Sequence, residues 1–241
     1  MADYKSKKDA THVLVGGVNV APVMESLSIK TSAVLDERRF LGNAFPTQCD
    51  TGARNAELTM QGVINSPTTD TVAELNTTGA VVSALLSGNV VDVPFYGFQS
   101  AKITAIEVGI SDDKVDELTP TFSIFGEVNI GTVVAPYATR VAAANTDAAY
   151  STRPSATAAS GHAYLHVGAY TGAATNVVVK LRTSATHISF ADIGTFADVT
   201  GIGAQVLDVP TAAILEHLSI GWAWTGGATP TFDAVCGVAV D

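Results

Sequence analysis

Several short stretches of the chain alternate polar and apolar residues with a period of two. The pattern runs through residues 25–30, 57–61, 102–108 and 121–130. Because successive side chains of a strand point to opposite faces, each stretch predicts an antiparallel strand with one buried and one solvated face. The sequence therefore predicts a mainly β protein.

One segment departs from this alternation. Thr71 and Glu74 have the spacing of a capping box, in which each side chain satisfies a backbone donor at the start of a helix. Val72 and Leu75 supply an apolar stripe, and residues 81–86 are a candidate for a second turn of the same stripe. We expect one short helix over residues 71–76, lying across a pair of strands.

The segment between Lys30 and Glu57 keeps no steady period. Connections of this length are uncommon in compact domains unless they bind something or are disordered. The residues leave both readings open, a disordered surface loop or a binding loop. Phe40, Leu41 and Phe45 favour the binding loop, because exposed apolar side chains on a loop usually contact a partner.

Changes in composition divide the chain into domains. Residues 138–160 are rich in Ala, Thr and Ser and predict a linker or one weak first strand. The strands that follow are short and separated by glycine-containing turns, which predicts a second β-sandwich of the jelly-roll kind. We expect a flexible N-terminal arm at residues 1–10, a first β domain at 11–137 and a second at 138–241.

The composition of the chain indicates that other subunits cover part of its surface. The 241 residues are 47% hydrophobic and only 15% charged, and the mean hydropathy of +0.28 is high for a soluble monomer. Part of the apolar surface is therefore expected to be covered by other subunits. The net charge of −10 disfavours a nucleic-acid-binding groove, which needs clustered Lys and Arg. No apolar run approaches the ~20 residues of a membrane helix, and we expect no membrane contact.

Patterns that would carry chemistry are weak. His162 and His166 have a chelating spacing for a helix, but they lie in an alternating segment, where about 13 Å of strand separates them. Cys49 and Cys236 belong to no CxxC motif and are expected to be small hydrophobes in a reducing compartment. No nucleophile elbow, phosphate loop or zinc motif occurs in the sequence. We therefore expect no enzyme, no catalytic residue, no cofactor and no metal.

Several segments occur in a recognisable order along the chain. They are residues 15–20, the strand at 26–30, the acidic 35–37, the strand at 57–62, the helix at 71–76, the hairpin ending at 125–128, and the later segments 162–167, 190–192 and 218–224. In this order they resemble the major tail proteins, or tail tube proteins, of long non-contractile-tailed bacteriophages and of gene transfer agents. The resemblance covers most of residues 11–241 and rests on order and pattern, without an invariant motif.

The resemblance implies a structural protein of the virion. Six subunits would form a ring, their inner sheets would join into one barrel, and stacked rings would form the tube through which DNA is ejected. The first domain would be a tail-tube β-sandwich or barrel, with the second on its outer face. Partners would be other copies of the chain and the tape measure, tail terminator and tail tip proteins, with DNA passing transiently and without specific binding. Assembly would take place in the bacterial host cytoplasm.

Two sets of residues follow from the resemblance. The loop at 33–56 is expected to contact the next ring through Asp36, Glu37, Arg38, Arg39, Phe40 and Phe45. The polar side of each inner strand is expected to line the lumen through Ser28, Lys30, Glu57, Thr59, Gln61, Ser123, Glu127 and Asn129. A one-residue slip of a strand would invert this face. A negative lumen would repel phosphate and let DNA slide.

Other functions stay open at the level of sequence. The second domain would recognise a glycan if Trp222, Trp224 and Tyr170 formed a platform, although burial in a core or interface is the simpler interpretation of the tryptophans. A capsid decoration protein would form trimers without tubes. A trimer in which both domains served the tube would also build a pseudo-six-fold ring.

Overall fold

The protein is almost entirely β. A computed structural model describes residues 12–38, 47–63, 80–85, 87–109, 117–141, 151–153, 159–172, 176–227 and 229–240. The mainly β prediction is confirmed, whereas the expected helix at 71–76 and the N-terminal arm lie outside these residues. The candidate helical turn at 81–86 is wrong, because residues 81–85 belong to a strand whose two faces are both buried. Within them there are fourteen strands and a short 3-10 turn at Ala21–Val23. The strands are β1 His12–Val15, β2 Val18–Asn19, β3 Met24–Arg38, β4 Thr47–Val63, β5 Ala80–Leu85, β6 Pro94–Gly109, β7 Glu117–Val141, β8 Ser151–Thr152, β9 Ala159–Thr171, β10 Asn176–Ser184, β11 Ala191–Thr195, β12 Gly203–Ile214, β13 His217–Thr225 and β14 Thr231–Val240.

Two antiparallel sheets contain these strands. The larger has the order β12-β9-β14-β7-β6-β5-β1-β2, and the smaller has the order β11-β10-β13-β8. Strand β7 has β6 on one side along most of its length. On its other side it pairs first with β4, over residues 117–124, and then with β14, over residues 131–141. Because β3 pairs with β4, the large sheet has two branches that share the β6–β7 hairpin.

Three apolar cores lie against these sheets. The first core collects the apolar side of the alternating strands in the N-terminal half: Val13, Val15, Val20, Met24, Leu58, Met60, Ala80, Val82, Ala84, Phe98, Ala101 and Ile103. The middle core joins the two halves of the chain and contains Leu14, Leu85, Phe95, Val133, Tyr164 and Val235. The outer core fills the sandwich between the large and small sheets, and includes Leu165, Val179, Leu181, Ile220, Trp222 and Phe232.

Some strands are buried on both faces. In β1, Val13 and Val15 belong to the first core and Leu14 to the middle core. In β14, Val235 belongs to the middle core and Phe232 to the outer core. Residues 13–15 and 234–240 are unbroken apolar runs, because both faces of these segments pack against a core.

The second sandwich is present, but it shares a strand with the first half. The expected domain boundary after residue 137 falls inside β7, and residues 138–141, expected in a linker, belong to that strand. β8 also lies in the expected linker and pairs with β13. One continuous sheet and the middle core therefore connect the two halves of the chain.

Close approach between strands depends on two glycines. A Cβ at Gly131 would lie 2.0 Å from the carbonyl oxygen of Val238, and a Cβ at Gly237 would lie 2.6 Å from the ring of Phe95. Glycine at these positions lets β14 pair closely with β7 while the Phe95 ring fills the middle core.

Candidate functional site

A four-stranded part of the large sheet has one polar face. Its order is β3-β4-β7-β6, and the register aligns Lys30 with Glu57, Glu57 with Ser123, and Ser123 with Lys102. Directly opposed residues share a face of a sheet. We call this side the polar face and define it by the described side chains of Ser26, Ser28, Lys30, Glu57, Thr59, Gln61, Lys102 and Glu107.

Contacts on the polar face are weak and exposed. Lys30 Nζ lies 3.7 Å from Glu57 Oε1, with side chains 60% and 49% exposed. Thr59 Oγ1 donates to the same Glu57 oxygen at 3.3 Å, and Ser26 Oγ donates to Gln61 Oε1 at 3.4 Å. Solvent screening keeps such contacts well under about 1 kcal/mol each. The face is thus available for contacts outside the subunit.

The charges of the polar face balance. Its two described lysines, Lys30 and Lys102, are matched by Glu57 and Glu107. The described side chains of this face therefore carry no net charge. Alternating signs along paired strands explain the balance, because opposite charges on neighbouring strands attract.

Most of the predicted lumen residues lie together. Ser28, Lys30, Glu57, Thr59 and Gln61 all belong to the polar face, and the register places Ser123 in the same row. The side chain of Glu127 lies outside the described part of the chain.

Asn129 is a correction to the predicted lumen set. It is 7% exposed, and its Oδ1 accepts a hydrogen bond from the hydroxyl of Tyr164. The alternation along β7 gives no warning of this, because the cause is topological. By residue 129 the strand has entered the part of the sheet that the middle core covers.

At both ends of the polar-faced sheet the described residues provide no further strand, and we call these two ends its free edges. Within the described residues, β3 pairs only with β4, and β5 covers β6 only between Phe95 and Ala101. Among the described strands, β7 is the one that pairs with residues 102–109 of β6. Since each neighbour in β3-β4-β7-β6 is antiparallel, the two edge strands run in opposite directions. Free edges are templates for pairing with another chain.

Edge protection differs between the long edges of the large sheet. β12 contains Pro210, and its register with β9 shifts between Val209 and Ile214. Proline and irregular pairing both block further strand addition. Neither β3 nor residues 102–109 of β6 contain proline. Leu27 and Ile29 of β3 are only half-buried against the first core, so this edge also leaves apolar surface uncovered.

The β3–β4 hairpin extends past the sheet. Its strands pair out to Arg38 and Thr47, whereas β4 pairs with β7 no further than Ala56. Residues 31–38 and 47–55 thus form a two-stranded ribbon about 25 Å long, which we call the arm. Isolated two-stranded ribbons are marginally stable in water, so an arm of this length is expected to contact another surface.

The arm corrects the predicted irregular loop at 33–56. Both of its sides are extended and paired. No described strand pairs with the arm as a third strand, so its register does not require an apolar face, which agrees with the lack of a period in its sequence. Asp36, Glu37 and Arg38 are the last residues of β3, and Arg39, Phe40 and Phe45 lie outside the described residues.

The tryptophans form no sugar platform. Trp222 is 5% exposed, packs edge-on against Phe232 at 6.0 Å, and has the Arg140 guanidinium 5.9 Å from its ring centre. Trp224 and Tyr170 are partly buried against the outer core. The interpretation of Trp222 as a core residue is confirmed.

Buried polar groups connect the two halves of the chain. His166 in β9 and Ser83 in β5 are both fully buried, with His166 Nε2 2.7 Å from Ser83 Oγ. Burial lowers the pKa of His166 to about 3. His162 instead contacts Asp208, with Nδ1 2.8 Å from Oδ1. The two histidines of the HxxxH pattern therefore have separate structural contacts.

Other candidate chemistry is sparse. Cys236 is a free, buried thiol whose pKa burial raises to about 12. The described residues hold no group of three or more His, Cys, Asp or Glu side chains arranged to bind a metal ion. The same residues include no helix long and apolar enough to cross a membrane.

No family model and no curated protein matches the chain. Solved structures with some similarity include a chain from the virion of a native gene transfer agent particle, at 13% identity and a TM-score of 0.40 over 51% of this chain and 95% of that one. A chain from the tail of an empty gene transfer agent particle has 13% identity and a TM-score of 0.35 over 44% and 80%. The SPP1 Dit protein, described as a hub adsorption apparatus protein of phages that infect Gram-positive bacteria, has 11% identity and a TM-score of 0.36 over 95% and 98%. Each of these TM-scores is below 0.5.

Proposed function

We propose that this chain is a virion structural protein that forms the tail tube of a phage-type particle. Copies join edge to edge into rings, and the rings stack into a hollow conduit for DNA. Its partners are then other copies of itself and the tape measure, tail terminator and tail tip proteins. The order of segments in the sequence resembles that of tail tube proteins, and the surface of the polar-faced sheet supports the same assembly.

The pair of free edges carries the proposal. One copy contributes four antiparallel strands, so its two edge strands, β3 and β6, run in opposite directions. When copies have the same orientation in a ring, β3 of the next copy is therefore antiparallel to β6 of the first. Every junction repeats the same pairing. A head-to-tail contact of this kind closes into a ring when its rotation divides a full turn. Closure leaves no free edge in the tube sheet.

Six copies are the number that the resemblance implies, and they would supply roughly two dozen strands. With strands about 4.8 Å apart and tilted by about 40°, the barrel would be about 48 Å across at the backbone. Side chains would leave a lumen wide enough for duplex DNA. Only one polar-faced sheet with two free edges exists in the described part of the chain. This favours six copies over a trimer in which both halves serve the tube.

The polar face would line the lumen. Its hydroxyl and amide groups are hydrated, and Lys30 is matched by Glu57 in the same row. Tight binding of DNA requires unpaired cations that displace counterions from phosphates. A face of balanced charge lets DNA pass without being held.

The arm would provide the contact between rings. It extends along the strand direction beyond the barrel, toward a neighbouring ring, and a two-stranded ribbon needs such support. Asp36, Glu37 and Arg38 lie near its end and would supply ionic contacts there.

Electron microscopy of the purified protein across a concentration series tests the proposal. Hollow tubes or stacked rings are the expected result. Trimers that never grow into tubes would point to a capsid decoration protein instead. A monomer that persists at high concentration and in the presence of tail-tip nuclei would contradict the proposal.

A further inference from the structure

We infer a specific register for the junction between copies, in which Lys30 of one copy lies opposite Glu107 of the next. The inference rests on the proposed function, because it requires the free edge of β3 to pair with the free edge of β6. Beyond the proposed edge-to-edge pairing, it specifies which residues of the two copies face each other and which interactions select that register.

The faces of the two edges restrict the register first. On β3, Ser28 and Lys30 belong to the polar face, and Leu27 and Ile29 lie against the first core. On β6, Ile103 belongs to the first core and is 4% exposed. A one-residue slip would bring the apolar row of one copy beside the polar row of the next. Only alternate registers are therefore allowed.

On the β6 edge, the residues available to the polar row of β3 are Lys102, Ala105, Glu107 and Gly109. They are exposed, and their β7 partners alternate with those of the buried row.

Charge then selects among the allowed registers. The described polar face of the β3 edge carries one charge, Lys30, and that of the β6 edge carries two charges of opposite sign, Lys102 and Glu107. These two lie five residues apart, or about 16 Å along the strand. Opposite charges directly across a strand pair stabilise it, and like charges destabilise it. Lys30 is therefore expected opposite Glu107 and far from Lys102.

The register gives Lys30 two carboxylates. Within its own copy the ammonium lies 3.7 Å from Glu57 Oε1, and 60% of the side chain is exposed and open to a second partner. Glu107 of the adjoining copy would approach from that side. One lysine would then bridge two glutamates across the junction, and Ser28 would lie opposite Gly109.

Paired cysteines test this alignment directly. In a Cys49→Ser background, Ser28→Cys and Gly109→Cys are combined in one chain, and the assembled protein is oxidised. Opposed residues on neighbouring strands lie within disulfide reach. The matched control combines Ser28→Cys with Ala105→Cys, which uses the same edges and the same face but lies four residues away.

The expected result is a ladder of disulfide-linked oligomers from the Gly109 pair and monomers from the Ala105 pair, on a denaturing gel without reductant. Tubes that cross-link through the Ala105 pair, or through neither pair, would overturn the register while leaving the proposed function intact. Absence of rings and tubes in the unmodified protein would instead overturn the proposed function.

A charge variant gives a second, independent readout. Glu107→Lys should raise the concentration needed for tube growth by about tenfold, because every junction of the ring then opposes two lysines. Asp208→Lys is the control, since it changes the net charge equally on an exposed side chain of β12. Equal assembly of the Glu107→Lys variant and the control would contradict the pairing.

Discussion

His166 is expected to make the stability of the folded subunit depend on pH. Its ring is fully buried between β9 and β5, where Nε2 contacts Ser83 and Nδ1 has no hydrogen-bond partner among the described residues. A proton on this ring would place a charge in the middle core, which burial strongly disfavours. The pKa of His166 is accordingly lowered to about 3 in the fold, against about 6.5 in an unfolded chain.

The direction and size of the effect follow from these two values. A base whose folded pKa is lowered stabilises the fold fully above its unfolded pKa, and that stabilisation is lost as the pH falls from about 6.5 toward 3. At pH 5 the unfolded chain is almost fully protonated at this ring, whereas the folded chain is almost fully neutral. The difference lowers the free energy of unfolding by about 2 kcal/mol relative to pH 7.5.

Urea denaturation at pH 7.5 and pH 5.0 measures this loss, at a protein concentration below that of assembly. His166→Gln is the comparison, because glutamine keeps a polar group near Ser83 and does not titrate. The unmodified protein should lose about 2 kcal/mol more than the variant between the two pH values. Equal losses in both proteins would refute the reasoning, since other titrating groups are common to both.

Three further predictions concern packing and the arm. Gly131→Ala should lower the free energy of unfolding by more than about 3 kcal/mol, because its Cβ would lie 2.0 Å from a backbone carbonyl oxygen. Gly201→Ala is the control, since a Cβ there would have open space and should change little. Equal melting temperatures of the two variants in calorimetry would contradict the packing. Tyr164→Phe should cost about 1–2 kcal/mol in denaturant titration, because Asn129 loses a buried donor; an unchanged midpoint would show that water replaces it. Replacing residues 34–53 with a two-residue turn should leave rings but abolish tubes in electron micrographs, and tubes of normal length would remove the arm from the ring-to-ring contact.

Sequence alternation predicted the strands that have one wet face. In β4, Leu58 is fully buried and its neighbours Glu57 and Thr59 belong to the polar face, as the period of two requires. The polar row could be predicted because solvent on one side and a core on the other impose a repeating pattern on each strand.

Strands without one solvated and one buried face could not be predicted from alternation. β1 and β14 have a core on each face, so their sequences do not show which half of the chain they join. The sequence of the arm shows no period, and no described strand pairs with the arm as a third strand. Asn129 follows the alternation correctly, but long-range pairing of β14 and β9 covers the face on which it lies. These features depend on contacts distant in sequence, which local pattern does not record.

The β7 strand has a mechanical consequence for any assembly of this chain. It pairs with both β4 and β6 over residues 117–124 and with β14 over residues 131–141, so one continuous strand joins the two halves of the chain. A force applied to the outer sandwich would be carried along the β7 backbone and resisted in shear by many hydrogen bonds at once. In a tube built from such subunits, the inner sheet and the outer sandwich would move together as one rigid unit. Bending of the tube would then take place at the junctions between rings.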